Sequence, residues 1–168
     1  ILGPPGSGKS TGMKSLPSQS NIWYNADNKN PVWIGGREEY GRKANPKSPY
    51  HVIPKNYKDI LEHIKNGLSR GMFEDERFAF LTGHLENFKE GTKVRIRLKT
   101  LGQLNNKFQL ENKLETVLYS TVELTDDGPE YLFETQNNGY NTARCPEGLF
   151  EGRIPNDYNF IINKLLNY

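Results

Sequence analysis

Cysteine is nearly absent from this chain. Cys145 stands alone among 168 residues, so no internal disulfide can form and no cysteine-based zinc site has a second thiol, which suits a reducing compartment. Long hydrophobic runs are also lacking. No apolar stretch approaches the ~18 residues of a membrane-crossing helix, only 35% of residues are hydrophobic, and mean hydropathy is -0.77. With no secretory leader visible, the expectation is a cytoplasmic protein without a membrane partner. A dominant charge is missing too: 22 Lys and Arg against 20 Asp and Glu leave a net +2. Total charge therefore neither demands nor forbids a nucleic-acid partner, because binding depends on clustering. No internal repeat or low-complexity segment appears, and the length allows one core.

What the chain does have is at its start. Gly3-Pro4-Pro5-Gly6-Ser7-Gly8-Lys9-Ser10-Thr11 is a complete G-x-x-x-x-G-K-[ST] phosphate loop, entered from Ile1-Leu2, which read as the end of a buried strand. Its glycines let consecutive N–H groups converge on a β-phosphate, and the helix that follows aims its positive end at the same place. Lys9 is placed to neutralise the β/γ-phosphates and Ser10 to hold Mg²⁺. The pattern predicts binding of a nucleoside triphosphate. Because the sequence opens at Ile1 without Met, the beginning of that first strand is expected to have been lost.

Thr11–Leu16 reads as a short helix ended by Pro17, and 21–25 as a second strand leading to Ala26-Asp27. Residues 28–56, rich in Pro and Lys/Arg, read as a long connection with at most a short strand at Val32–Ile34. Tyr57–Arg70 carries Ile60, Leu61, Ile64 and Leu68 at helical spacing before Gly71. Arg77–Thr82 is a short apolar run suited to a buried parallel strand, with Thr82-Gly83-His84 at its carboxyl end, where ligands of open α/β sheets sit. Val94–Lys99 alternates apolar and basic residues, and a helix is expected over Gly102–Leu114. Val117–Leu124 and Tyr131–Gln136, joined by Asp126-Asp127-Gly128-Pro129, read as a hairpin at a sheet edge. Pro155-Asn156-Asp157 then starts a terminal helix with Phe160, Ile161, Leu165 and Leu166 inward.

Triphosphate hydrolysis needs a phosphate cradle, Mg²⁺ ligands, a water-orienting group and positive charge for the transition state. Asp27 has two readings, a carboxylate beside the γ-phosphate or an ordinary turn residue. Thr82 and His84 read either as γ-phosphate sensors or as structural residues. An acidic residue ending an apolar strand, the usual Mg²⁺ partner, is not found: Glu74-Asp75-Glu76 reads as an exposed acidic turn. Arg95, Arg97 and Lys99 lie on one strand face, and Trp33–Tyr50 mixes basic and aromatic residues. These are candidates for contacting DNA phosphates and bases, against a simple solvated surface.

Gly3–Thr11, Asn25–Lys29, Phe80–His84, Leu98–Gly102, Phe133–Gly139, Thr142–Phe150 and Ile154–Asp157, in that order, resemble the phage-encoded RecA-like ATPases. These are the compact Sak-type single-strand annealing recombinases and their relatives, often grouped as AAA nucleotide-binding proteins. The resemblance implies an α/β fold, a RecA-like P-loop NTPase core with a central, mostly parallel sheet flanked by helices. It also implies ATP- and Mg²⁺-linked assembly of a homo-oligomer on single-stranded DNA, in phage recombination or replication within the bacterial host cytoplasm. Asp27 then matches the catalytic carboxylate, Thr82 to His84 the polar sensor, and Arg144 a trans-acting finger on a neighbour's γ-phosphate. Relatives place a further helix and a strand ending in a metal-binding Asp where only Gly71–Arg77 stands here. The expectation is one P-loop NTPase domain, 1–168, lacking a segment near Gly71. Two other functions share the loop, a small kinase of nucleotides or polynucleotides and a non-hydrolysing nucleotide-binding or loader subunit.

Overall fold

The computed structural model describes residues 1–17, 21, 23–24, 31–40, 51–52, 58–59, 62, 65–66, 78, 80–99 and 114–168. By internal contacts the chain forms two compact units, Met13–Ala79 and, from two segments, Ile1–Gly12 with Phe80–Tyr168. The short helix expected over Thr11–Leu16 is a 3-10 helix, Thr11–Ser15, which runs across the boundary. None of the described helices is long and apolar enough to cross a membrane.

Among the described residues of the unit Met13–Ala79, Leu16, Trp23 and Trp33 meet at Tyr40. Strand β1 (Trp23–Tyr24) pairs in parallel with β2 (His51–Val52), and helix α1 (Gly36–Tyr40) lies between them in sequence. Tyr40 is buried, its hydroxyl donates to the Leu16 carbonyl at 3.2 Å, and the rings of Trp23 and Trp33 meet it edge-on at 6.1 and 5.9 Å. Such edge-to-face contacts set the positive ring edge against the negative face and add about 0.5–1.5 kcal/mol per pair beyond burial. Val32–Ile34 is not a strand but a bend and turn into α1, with both Val32 and Ile34 exposed. Of the helix expected over 57–70, Lys58, Asp59, Glu62, Lys65 and Asn66 are helical, and the rest lies outside the described residues, as do 71–77 and 100–113.

The other unit is built on two antiparallel systems. Strands β3 (Leu85–Glu90) and β4 (Lys93–Leu98) form a hairpin in which Leu85 pairs with Leu98 and Glu86 with Arg97. The alternation at 94–99 predicts β4, but β3 was not expected, because Leu85-Glu86-Asn87-Phe88-Lys89-Glu90 alternates weakly. Strands β5 (Tyr119–Thr125) and β6 (Gly128–Glu134) form the hairpin expected from its turn, and β7 (Arg153–Pro155) pairs along β6. Helix α2 (Tyr158–Leu166) starts where the sequence places it, with the Asp157 carboxylate accepting from the Phe160 N–H at 2.8 Å. Such a cap satisfies an otherwise unpaired first-turn donor. Ile161 turns inward and is buried, whereas Leu166 is exposed.

The expected RecA-like core is corrected by this topology. Among the described residues there is no central parallel sheet flanked by helices: β3–β4 and β5–β6–β7 are antiparallel. Among the described residues, parallel pairing is confined to two-residue β1–β2 and to single bridges from Leu2 to Gly83 and to Tyr119. Of the apolar run, the described residues Phe78, Phe80, Leu81 and Thr82 are not in a strand, and Phe80 contributes ring packing instead. Phe80 stacks on Tyr158 at 4.4 Å, and Phe133 meets the same ring at 5.9 Å. Leu2, Val117, Tyr119 and Ala143 form the neighbouring cluster, with Leu85, Ile96, Leu98 and Leu114 packed on it. Burying each large side chain of this kind contributes about 1.5–3 kcal/mol.

Candidate functional site

Leu2 delivers the chain into the loop Gly3–Thr11. Its N–H donates to the Leu118 carbonyl at 2.8 Å and its carbonyl accepts from the Ser120 N–H at 2.6 Å, while Gly83 N–H bonds the Ile1 carbonyl at 3.0 Å. Gly6 and Gly8 then adopt φ of 79° and 86°, the left-handed region that side-chain-bearing residues avoid. Gly8 is doubly constrained, since an added Cβ would lie 2.5 Å from the Tyr131 ring and 2.9 Å from Asn156 Nδ2. Buried Ser7 is internal scaffolding, its hydroxyl donating to the Pro4 carbonyl at 2.9 Å.

Three successive carbonyls of this loop are tied to distant side chains. The Ser120 hydroxyl donates to the Ser7 carbonyl, Asn156 Nδ2 donates to the Gly8 carbonyl at 3.0 Å, and the Tyr158 hydroxyl donates to the Lys9 carbonyl at 2.5 Å. In a planar trans peptide the C=O of one residue and the N–H of the next point in opposite directions. Fixing those carbonyls toward β5 and the start of α2 therefore turns the N–H groups of Gly8, Lys9 and Ser10 the other way. Those three, with the N–H of Gly6, bond no partner among the described residues. Successive uncommitted backbone donors are the raw material of an anion-binding concavity.

Lys9 adds the charge. Its ammonium donates to the Gly3 and Pro4 carbonyls, both at 2.7 Å, which holds it over the loop, and partial burial draws its pKa below the ordinary lysine value. An incoming phosphate would satisfy the ammonium better than neutral carbonyls do, since hydrogen bonds between charged groups are the stronger kind. Ser10 is half-buried and no hydrogen bond engages its hydroxyl among the described residues. That hydroxyl fits a Mg²⁺ ion, which prefers one or two protein oxygens plus phosphate and water to an all-protein cage. No group of three or more His, Cys, Asp or Glu among the described residues could hold a metal by itself.

The other candidates are dispersed. Asp27 lies outside the described residues. Thr82 and His84 are exposed, Thr82 bordering a cavity of about 40 Å³ with Leu2, Leu98 and Val117. The parallel bridge Leu2–Gly83 brings the next residue, His84, level with Gly3, the first residue of the loop. Arg144 is committed within the unit: its backbone bridges Val117, and Nε and Nη2 both donate to the Leu114 carbonyl, at 3.2 and 2.9 Å.

On the β3–β4 hairpin, Arg95 and Arg97 are partnered rather than forming a bare basic face. Arg95 meets Glu90 and Arg97 meets Glu86, each at 2.9 Å, and the Arg97 guanidinium lies 4.9 Å above the Phe88 ring. Lys99 is exposed at the end of the hairpin. Of the stretch Trp33–Tyr50, residues 41–50 lie outside the described residues, and Trp33 Nε1 donates to Glu39 at 3.3 Å.

Sequence reading missed Ser120, Asn156 and Tyr158. They bond the loop from 113, 148 and 149 residues away, and nothing in local spacing marks such a partnership. Asn156-Asp157 reads only as a helix start. Comparison of the chain with protein-family models, with curated proteins and with solved structures found no match.

Proposed function

We propose that the chain binds the phosphates of a nucleoside triphosphate, ATP with Mg²⁺, in the loop Gly3–Thr11. One observation carries the reading: the carbonyls of Ser7, Gly8 and Lys9 are held from behind, which leaves the Gly8, Lys9 and Ser10 N–H groups uncommitted beside the Lys9 ammonium. In this reading the N–H groups take the β-phosphate, Lys9 exchanges two loop carbonyls for phosphate oxygens, and Ser10 offers its hydroxyl to the cation. Bound Mg²⁺ would offset the charge on the phosphates. The parallel bridge at Gly83 supports His84 as a group near the head of the loop.

The wider role proposed is DNA-dependent ATP hydrolysis in phage recombination by an oligomer of this chain, acting on single-stranded DNA. It rests on the order of motifs from Gly3–Thr11 to Ile154–Asp157 and does not require a RecA-like sheet. Calorimetric titration with Mg·ATP, followed by phosphate-release assays with and without single-stranded DNA, tests both levels. Wild type is expected to bind and Lys9→Ala to lose most affinity; turnover is expected to rise with DNA. Equal binding by wild type and Lys9→Ala would remove the loop from the account, and binding without DNA-stimulated turnover would reduce the function to nucleotide binding.

A further inference from the structure

Two of the three side chains that hold the loop come from one short segment. Asn156 and Tyr158 flank Asp157, the residue that caps α2, and the Asn156 N–H is itself anchored on the Tyr131 carbonyl at 3.2 Å. Asn156 Nδ2 also reaches the Ser120 hydroxyl at 3.3 Å, so the Ser7 and Gly8 clamps share a hydrogen-bonded link. Tyr158 is 1% exposed, its ring packs against Phe80 and Phe133, and its hydroxyl donates to the Lys9 carbonyl. The carbonyl side of the loop is thus fixed by groups that never face its N–H side.

We infer that Ser120, Asn156 and Tyr158 are positioning residues that set the phosphate affinity of the loop by orienting the peptides of Gly8, Lys9 and Ser10. This rests on the nucleotide-binding reading above. Each clamp removes a rotation that the loop would otherwise have to give up when the anion arrives, and pre-organised donors bind more tightly for that reason. The β7–α2 junction therefore sets phosphate affinity without touching phosphate. A displacement of the segment Asn156–Tyr158 would release two clamps together and lower that affinity.

The test is a series of dissociation constants for Mg·ATP and for inorganic tripolyphosphate, measured where melting curves show every variant folded. Tyr158→Phe keeps the ring and removes only the hydroxyl; Ser120→Ala removes a clamp that Ser120→Thr retains. Tyr158→Phe and Ser120→Ala are each expected to weaken both ligands about three- to tenfold, the effect of one lost hydrogen bond. Ser120→Thr is expected to stay within about twofold of wild type on the same scale. Equal losses for the two ligands tie the effect to the phosphates, and amide shifts of Gly8, Lys9 and Ser10 in the ligand-free variants report the peptides directly.

If Tyr158→Phe and Ser120→Ala melt lower but bind as wild type does, the three residues are structural and the inference is overturned. Should Ser120→Ala not fold, Tyr158→Phe with 3-fluorotyrosine at 158, a stronger donor of similar size, decides the question: affinity must rank with donor strength or the inference fails. If wild type binds neither ligand, or Lys9→Ala binds as wild type does, the nucleotide-binding reading itself is what has failed.

Discussion

The loop Gly3–Thr11 and the β3–β4 hairpin both carry hydrogen-bond donors of the kinds proposed to meet phosphate, and they commit them in opposite ways. In the loop the acceptors are tied, by Ser120, Asn156 and Tyr158, and the backbone donors are left uncommitted. On the hairpin the donors are tied, Arg95 to Glu90 and Arg97 to Glu86. Residue type alone makes Arg95 and Arg97 the more obvious phosphate binders. Bonding geometry reverses that order, because a guanidinium already paired with a carboxylate must exchange one anion for another, at little net gain.

Substitution at the loop glycines sharpens the comparison most. Gly8→Ala meets both a left-handed φ and the Tyr131 ring, and is expected to lower stability by about 2–4 kcal/mol and to abolish Mg·ATP binding. Gly6→Ala has the same backbone sign with nothing near its Cβ and is expected to cost only about 1–2 kcal/mol. Thermal melts of the pair check this, and equal losses would mean that Tyr131 does not buttress the loop. Next in size, Lys9→Ala is expected to weaken Mg·ATP by about ten- to a hundredfold, the range for a charge-assisted hydrogen bond. Its melting temperature should change little, because the ammonium bonds only loop carbonyls.

Freeing the arginines probes the hairpin side. Glu86→Gln and Glu90→Gln leave Arg97 and Arg95 unpaired. Each is expected to raise affinity for single-stranded DNA and to steepen its salt dependence by about 0.7 in log–log slope. Fluorescence anisotropy at several salt concentrations reads this, and unchanged slopes would take Arg95 and Arg97 out of any DNA surface.

The smallest effect concerns Tyr40, in the unit Met13–Ala79. Burial, and then the charge of Glu39, push its pKa up to about 12 from an ordinary 10. Between these values the unfolded chain loses the proton while the folded chain keeps it, so the Tyr40 contribution is full below pH 10 and is lost as pH rises through 12. Alkaline melts should show a shallower decline for Tyr40→Phe than for wild type.

Local chemistry was legible and long-range assembly was not. The turn Asp126–Pro129, the cap at Asp157 and the glycines at 6 and 8 can be read because each is written within a few residues. Strand β3 was missed because the face it shares with Ile96 and Val94 carries one apolar residue, Leu85, beside the exposed Asn87 and Lys89. The run at 77–82 suggests a strand by its apolar content, yet its described residues pack rings, Phe80 against Tyr158, without a ladder. A parallel sheet was inferred from motif order, but motif order carries no hydrogen-bond register. The loop carbonyl clamps depend on the same long-range register, which is why the loop could be named from sequence and its orientation could not.

Whether the loop amides meet the nucleotide is read by an amide NMR titration of the full chain with Mg·ATP. The Gly8, Lys9 and Ser10 resonances are expected to shift first and saturate with a single dissociation constant, while Arg95 and Arg97 on β4 stay in place. Shifts confined to β3–β4, or none at the three loop amides, would contradict the proposed contact.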